Sequence, residues 1–161
     1  KLIYRGILFF GLMITSNGPY VIEYNVRFGD PECQILMRNL QTDFLKIINL
    51  NIQDKVSKLK IRRENKSIIC VVLASKGYPG IFNTNKKIEN LEKAKLIKGV
   101  EIFHAGTESR GSEVFSTGGR VLSITAKGKS ISEARRLAYK ALEQINWPYG
   151  FYRKDIGLLN A

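Results

Sequence analysis

The chain is poor in the residues that most enzymes and secreted scaffolds depend on, with one histidine, one tryptophan, two cysteines and four prolines in 161 residues. Each scarcity closes a route. His104 is the sole imidazole and no Gly-x-Ser-x-Gly turn leads into a helix, so a Ser-His-Asp hydrolase has no frame to be built on. Cys33 and Cys70 lie far apart with no Cys-x-x-Cys pair, which argues against structural zinc and a disulfide framework and leaves two buried free thiols as the expectation. Long apolar runs are missing too: Ile7 to Ile14 fits a buried strand and falls far short of the ~20 residues of a membrane helix. Nor does the start carry the charged, apolar, small-residue order of a signal peptide. A cytoplasmic protein with no membrane partner is expected.

Acidic side chains are also in deficit, 14 against 26 basic, for a net charge of +12. Such a balance fits a nucleic-acid-binding module. The distribution favours a different account. The basic residues are scattered, with short clusters at Lys58 to Arg63, Lys86-Lys87 and Arg135-Arg136, and no aromatics interleave with them as a stacking platform requires. Ile, Lys and Asn are abundant together, as an AT-rich coding sequence gives without selection for partners. No nucleic-acid partner is expected, though a positive field would help attract anionic substrates. The 44% hydrophobic and 25% charged content is ordinary for a folded domain.

Patterning divides the chain into two α+β pieces. Ile7 to Thr15 and Tyr20 to Arg27 read as strands joined through Ser16-Asn17-Gly18-Pro19, where Asn-Gly signals a hairpin. Pro31 to Leu40 reads as a helix, and Asp43, a good N-cap, opens another with an apolar stripe of Phe44, Leu45, Ile47, Ile48 and Leu50. The polar, basic stretch from Gln53 to Lys66 is the expected link. Beyond it, Ile68 to Ala74, Gly99 to His104, Glu113 to Ser116 and Arg120 to Ala126 are strand candidates for a small antiparallel sheet, with Gly118-Gly119 as the turn between the last two. Ser130 to Glu133 fits a capping box. Ala134, Leu137, Ala138, Ala141, Leu142 and Ile145 then follow at helical spacing and should bury against that sheet. Pro148 ends the pattern, and the mixed tail from Phe151 to Gly157 is expected to dock on the body.

The stretch richest in chemistry is Val21 to Gln34. Alternation along a strand puts Glu23, Asn25 and Arg27 on one side and Ile22, Tyr24 and Val26 on the other. Any surface strand can carry alternate polar residues, so the pattern by itself is also that of a solvated face. As a site, Glu23 and Asn25 offer oxygen ligands suited to a hard cation such as Mg²⁺, and Arg27 offers a planar fork for phosphate oxygens. Gly29 permits a sharp turn, Asp30 is a strong N-cap, Pro31 suits a first helical position and Glu32 complements the helix dipole. A strand end meeting a helix start also gathers backbone N–H groups that can hold an anion.

Arg27-Phe28-Gly29-Asp30-Pro31-Glu32-Cys33-Gln34 resembles the signature of the phosphoribosylamine-glycine ligase (glycinamide ribonucleotide synthetase) family of ATP-grasp enzymes. Gly11-Leu12-Met13, Val72 to Gly80, Phe103 to Thr107, Gly118 to Leu122 and Phe151 to Gly157 look like that family in its order, so the resemblance covers nearly the whole chain. It implies an ATP-grasp end over residues 1–62 and the family's C-terminal domain over 63–161. It further implies an ATP-dependent carbon-nitrogen ligase of purine biosynthesis acting on ATP, glycine and 5-phosphoribosylamine with Mg²⁺ or Mn²⁺. On this reading Glu23 and Asn25 are metal ligands, Arg27 stabilises phosphates, and Asp30 orients the amine or glycine. Many ATP-grasp proteins place a further metal-binding carboxylate on the preceding strand; Ile7 to Ile14 has none, and Met13 stands there. The family enzyme is much longer, so an N-terminal part of the same polypeptide, with the nucleotide loop and glycine pocket, is expected outside this chain, and the 161 residues by themselves should not turn over. Another ATP-grasp carboxylase or ligase, or a basic nucleic-acid-binding module, are the alternatives. His104, Gly118, Gly119 and Arg120 receive no role, and Gly77 to Gly80 and Gly118-Gly119 read as tight turns.

Overall fold

A computed structural model describes residues 3–158, so residues 1–2 and 159–161 of the two expected domains lie outside the described residues. The chain forms two compact units that divide between Glu64 and Asn65.

The N-terminal unit begins with an antiparallel hairpin of β1 (Phe9–Thr15) and β2 (Gly18–Asn25). Its tip is Ser16-Asn17, one residue earlier than Asn-Gly suggests: Gly18 pairs with Thr15 at φ +107°, a conformation that favours glycine. The Thr15 hydroxyl closes the turn by donating to the Gly18 carbonyl at 3.0 Å. The strand expected to run to Arg27 stops at Asn25, and residues 26–27 form a bend. Helices α1 (Glu32–Asn39) and α2 (Phe44–Ile52) follow. Asp43 caps α2 as expected, its carboxylate accepting the Leu45 N–H at 2.8 Å. The expected cap of α1 is corrected. Pro31, not Asp30, occupies the cap position and no side chain caps it; the Gly29 carbonyl accepts the Cys33 N–H at 3.0 Å and the Asp30 carboxylate accepts from Gln34 Nε2 at 2.9 Å. A backbone acceptor thus does the work given to Asp30, whose oxygen is engaged one turn along.

The stretch read as a link is fastened rather than free. After a 3₁₀ turn at Val56–Lys58, Leu40 and Arg63 form an antiparallel bridge, with Gln41 N–H donating to the Arg62 carbonyl and Glu64 N–H to the Asn39 carbonyl, each at 2.9 Å. Arg5 and Asp54 form a two-pronged ion pair that ties the segment before β1 to the turn after α2.

The C-terminal unit is built around β3 (Ser67–Ser75). The chain continues through β4 (Lys87–Ile88), α3 (Leu91–Lys95), β5 (Val100–His104), β6 (Thr107–Arg110), β7 (Glu113–Ser116), β8 (Arg120–Gly128), α4 (Ile131–Gln144) and β9 (Gly150–Phe151). One sheet has the order β5-β8-β3-β9 and a second β4-β7-β6, with antiparallel pairing throughout. Gly118-Gly119 therefore carries the chain from one sheet to the other instead of closing a hairpin. Four short elements, β4, α3, β6 and β9, escaped the sequence reading because two to five residues carry too little periodicity.

The core joins Ile69, Val71 and Leu73 of β3 and Leu122, Ile124 and Ala126 of β8 to Ala134, Ala138, Ala141 and Leu142 of α4. Small residues on the buried stripe of α4 let the helix lie close to the sheet. Ser130 accepts the Glu133 N–H at 3.2 Å, while the Glu133 carboxylate reaches past the cap to the Lys129 N–H at 2.6 Å. The tail docks as expected: Phe151 pairs with Ala74, the Tyr139 hydroxyl donates to the Arg153 carbonyl at 2.7 Å, and Tyr152 and Ile156 pack on the core. Both cysteines are free thiols; Cys70 is buried but Cys33, on a helix with no fully buried residue, is half-buried.

Candidate active site

The proposed ligands come from the open end of the hairpin. β1 and β2 pair Phe9 with Asn25, Phe10 with Tyr24 and Gly11 with Glu23, then jump to Leu12 with Val21, leaving Ile22 as a bulge. Paired residues share a face, so Glu23 and Asn25 stand with Phe9, Gly11, Met13 and Tyr20, while Val21 and Tyr24 join Phe10, Leu12 and Ile14. The bulge keeps Val21 with the apolar set and leaves Glu23 beside Asn25. Asn25 Nδ2 donates to Glu23 Oε1 at 3.0 Å, which ties the two side chains together and leaves the amide oxygen and the second carboxylate oxygen as acceptors.

Those oxygens fit a hard divalent ion only in part. Among the described residues no group of three or more His, Cys, Asp or Glu side chains is clustered to hold a metal. One carboxylate and one amide match Mg²⁺ or Mn²⁺ bound chiefly through substrate phosphates and water, and do not make an all-protein cage. Met13, where a second carboxylate was sought, lies on the same face and is 54% exposed.

Arg27 and Asp30 are each engaged by near neighbours. Arg27 Nη1 donates to the Phe28 carbonyl at 2.7 Å, and Asp30 meets Gln34 on α1. Because β2 ends at Asn25, Arg27 is not the next member of the Glu23-Asn25 face; it sits in the bend that follows. Phe28 anchors that bend, its ring 5.9 Å from Phe44, beside an apolar cleft that Leu36 and Ile47 also line. Gly29 is buried beneath the Glu32 side chain, which an added Cβ would meet at 2.3 Å. The Cys33 thiol is pushed up, first by burial and then by the nearby Asp30 carboxylate, so it is no ready nucleophile.

The strings that resembled the family in the C-terminal unit form a backbone-packed loop cluster. Ser75 Oγ donates to the Gly118 carbonyl at 2.8 Å and Ser75 N–H to the Gly119 carbonyl at 2.7 Å. A Cβ at Gly106 would fall 2.7 Å from Gly118 Cα, and one at Gly119 would fall 2.2 Å from the Tyr78 ring. These glycines permit close approach, which accounts for them without a phosphate. His104, at the exposed end of β5, has Nδ1 3.0 Å from the Thr107 hydroxyl, and partial desolvation of its ring holds its pKa below the usual histidine value. The sequence reading missed Gly11, which lies under the Glu23 side chain; a glycine inside a strand pattern was its signal.

Two family models match the chain: the phosphoribosylglycinamide synthetase C domain over residues 68–159 and the phosphoribosylglycinamide synthetase ATP-grasp (A) domain over residues 1–33. The chain belongs to the phosphoribosylglycinamide synthetase family. Among its relatives, a phosphoribosylamine-glycine ligase of Brucella melitensis is 46% identical over 154 residues, covering 96% of this chain and 36% of that protein. The chloroplastic phosphoribosylamine-glycine ligase of Arabidopsis thaliana is 50% identical over 157 residues, covering 94% and 29%. The crystal structure of the Thermotoga maritima phosphoribosylamine-glycine ligase superposes with a TM-score of 0.73 at 32% identity, covering 92% of this chain and 36% of that one. The chain thus spans about a third of the length of the curated relatives it matches. The α+β reading, an ATP-grasp end followed by the family's C-terminal domain fold, agrees with these matches.

Proposed function

We propose that residues 1–62 are the end of an ATP-grasp domain and residues 63–161 the C-terminal domain of a ligase that joins glycine to 5-phosphoribosylamine at the expense of ATP. The glycine carboxylate attacks the γ-phosphorus of ATP, giving glycyl phosphate and ADP. The amine of phosphoribosylamine then attacks the acyl carbon, loses a proton and expels phosphate, leaving the amide of glycinamide ribonucleotide. When bound, Mg²⁺ or Mn²⁺ draws charge from the phosphoryl oxygens. Glu23 and Asn25 hold that ion through the carboxylate and the amide oxygen. Arg27 exchanges the Phe28 carbonyl for phosphate oxygens, which its planar fork fits. Asp30 orients the amine or glycine. The nucleotide loop and glycine pocket belong to a part of the polypeptide outside this chain, and the setting is cytoplasmic.

The observation that carries the reading is the Glu23-Asn25 pair, joined at 3.0 Å on one strand face and separated by Val26 alone from Arg-Phe-Gly-Asp-Pro-Glu, in a member of this family. The full-length protein should release ADP from Mg²⁺-ATP only when glycine and freshly made phosphoribosylamine are both present. Release that ignores phosphoribosylamine, from folded and metal-replete protein, would sink the assignment. Glu23→Gln should reduce turnover and raise the metal requirement, and an unchanged requirement would remove Glu23 from the site.

A further inference from the structure

Gly11 lies in the interior of β1, where glycine is disfavoured for its flexibility and lack of packing surface. Its φ is outside the left-handed region, so backbone freedom does not explain it. What it faces does. A Cβ built on Gly11 falls 2.9 Å from Glu23 Cγ, while the Glu23 backbone nitrogen and oxygen stand at ordinary contact distances of 3.6 and 3.7 Å. The tight approach is to the side chain alone. Cγ is near the root of that side chain, so relief requires rotation about the first bonds of Glu23, and the carboxylate then swings away from Asn25 Nδ2.

We infer that Gly11 is a positioning residue for Glu23: the space left by its missing side chain lets the Glu23 stem lie across β1 and hold the carboxylate against the Asn25 amide. The bulge at Ile22 completes the device, because it places Glu23 directly opposite Gly11 while Val21, two residues earlier, pairs with Leu12. An alanine at 11 fits the backbone and displaces the ligand. This inference rests on the proposed metal role of Glu23 and Asn25, and it adds a residue with no polar atom on its side chain to that site.

The test is calorimetric binding of a non-hydrolysable ATP analogue to the full-length protein, with Mn²⁺ and with the metal chelated. The ratio of the two affinities reads the contact between protein and metal. Gly11→Ala should lower that ratio about tenfold or more, the usual scale for disturbing the support of a metal ligand, while leaving metal-free analogue binding and the melting temperature close to wild type. An unchanged ratio in Gly11→Ala beside a lowered ratio in Glu23→Gln overturns the positioning role and leaves the metal reading standing. An unchanged ratio in both variants overturns the metal reading and this inference with it. Equal loss of metal-bound and metal-free binding also overturns the inference, since it marks general damage. Should Gly11→Ala fold poorly, melting of Gly11→Ala/Glu23→Ala against Glu23→Ala decides: removing Cγ should abolish the penalty of the alanine, and a penalty that persists refutes the contact.

Discussion

The two units follow opposite rules of burial. In the C-terminal unit Leu122, Ile124, Ala126, Ala134, Ala138 and Ala141 are at 0% exposure, and β3 and β8 are covered along almost their whole length. Among the described residues of the N-terminal unit Gly29 alone is buried, while Phe10, Leu12, Ile14, Tyr24 and Val26 are 48 to 72% exposed. The difference lies less in composition than in how much of each fold the chain holds: on the proposed reading residues 1–62 are only the end of an ATP-grasp domain, and the chain spans about a third of its relatives' length. A helix laid on a sheet encloses a core, whereas a two-stranded hairpin has two faces and too few neighbours, and isolated hairpins are marginal in water. Within these 161 residues the proposed site is thus carried by the unit that supplies the least stability of its own.

The sharpest way to break this comparison is to separate the units. Residues 65–161 should unfold in one cooperative transition by denaturant and circular dichroism, and residues 1–64 should show none. A cooperative melt of the shorter piece would show that exposure misjudges it. Next in size are paired truncations. Ile124→Ala in the whole chain should cost about 2–5 kcal/mol, since it opens a cavity in a closed core. Leu12→Ala, half-exposed on the hairpin, should stay within about 0.5 kcal/mol. Equal values from urea titration would erase the distinction.

A smaller effect concerns helix caps. Ser130→Ala should destabilise the C-terminal unit by about 1 kcal/mol through the lost Glu133 N–H bond. Asp43→Ala loses a comparable bond in the other unit and should barely move the main transition, because α2 is not part of the core that melts there.

The smallest expected effect is the pH dependence of His104. Partial desolvation of this exposed ring is the main cause lowering its pKa in the folded state, Lys95 adds to it and Glu92 opposes it. The folded state therefore binds fewer protons than the unfolded one near the ordinary value of 6.5. That stabilisation is present above 6.5 and is lost as pH falls through the lower folded-state pKa. Thermal melts of His104→Gln should show a shallower loss on acidification than wild type, and parallel curves would refute the assignment.

Much of the molecule was legible from local signals. Asp43 and Ser130 announced their caps, the spacing of Ala134, Ala138, Ala141 and Leu142 announced the face that buries, and β3 was visible as a β-branched run, because each feature depends on residues a few positions apart. The same holds for the motif from Arg27 to Glu32 and for the oxygen pair on Glu23 and Asn25. Longer-range features were not. The cap expected of Asp30 passed to the Gly29 carbonyl, the link folded back to bridge Leu40 with Arg63, and Gly118-Gly119 proved to cross between sheets.

By itself the sequence determined the starts of α2 and α4, the buried face of α4, the acidic and amide side chains of the proposed site and the family to which they belong, since these follow from residue type and short spacing. Tertiary structure decided which strand pairs with which, where the bulge falls and hence that Gly11 lies under Glu23. Register across two strands is a choice between partners distant along the chain, and no spacing within one strand records it.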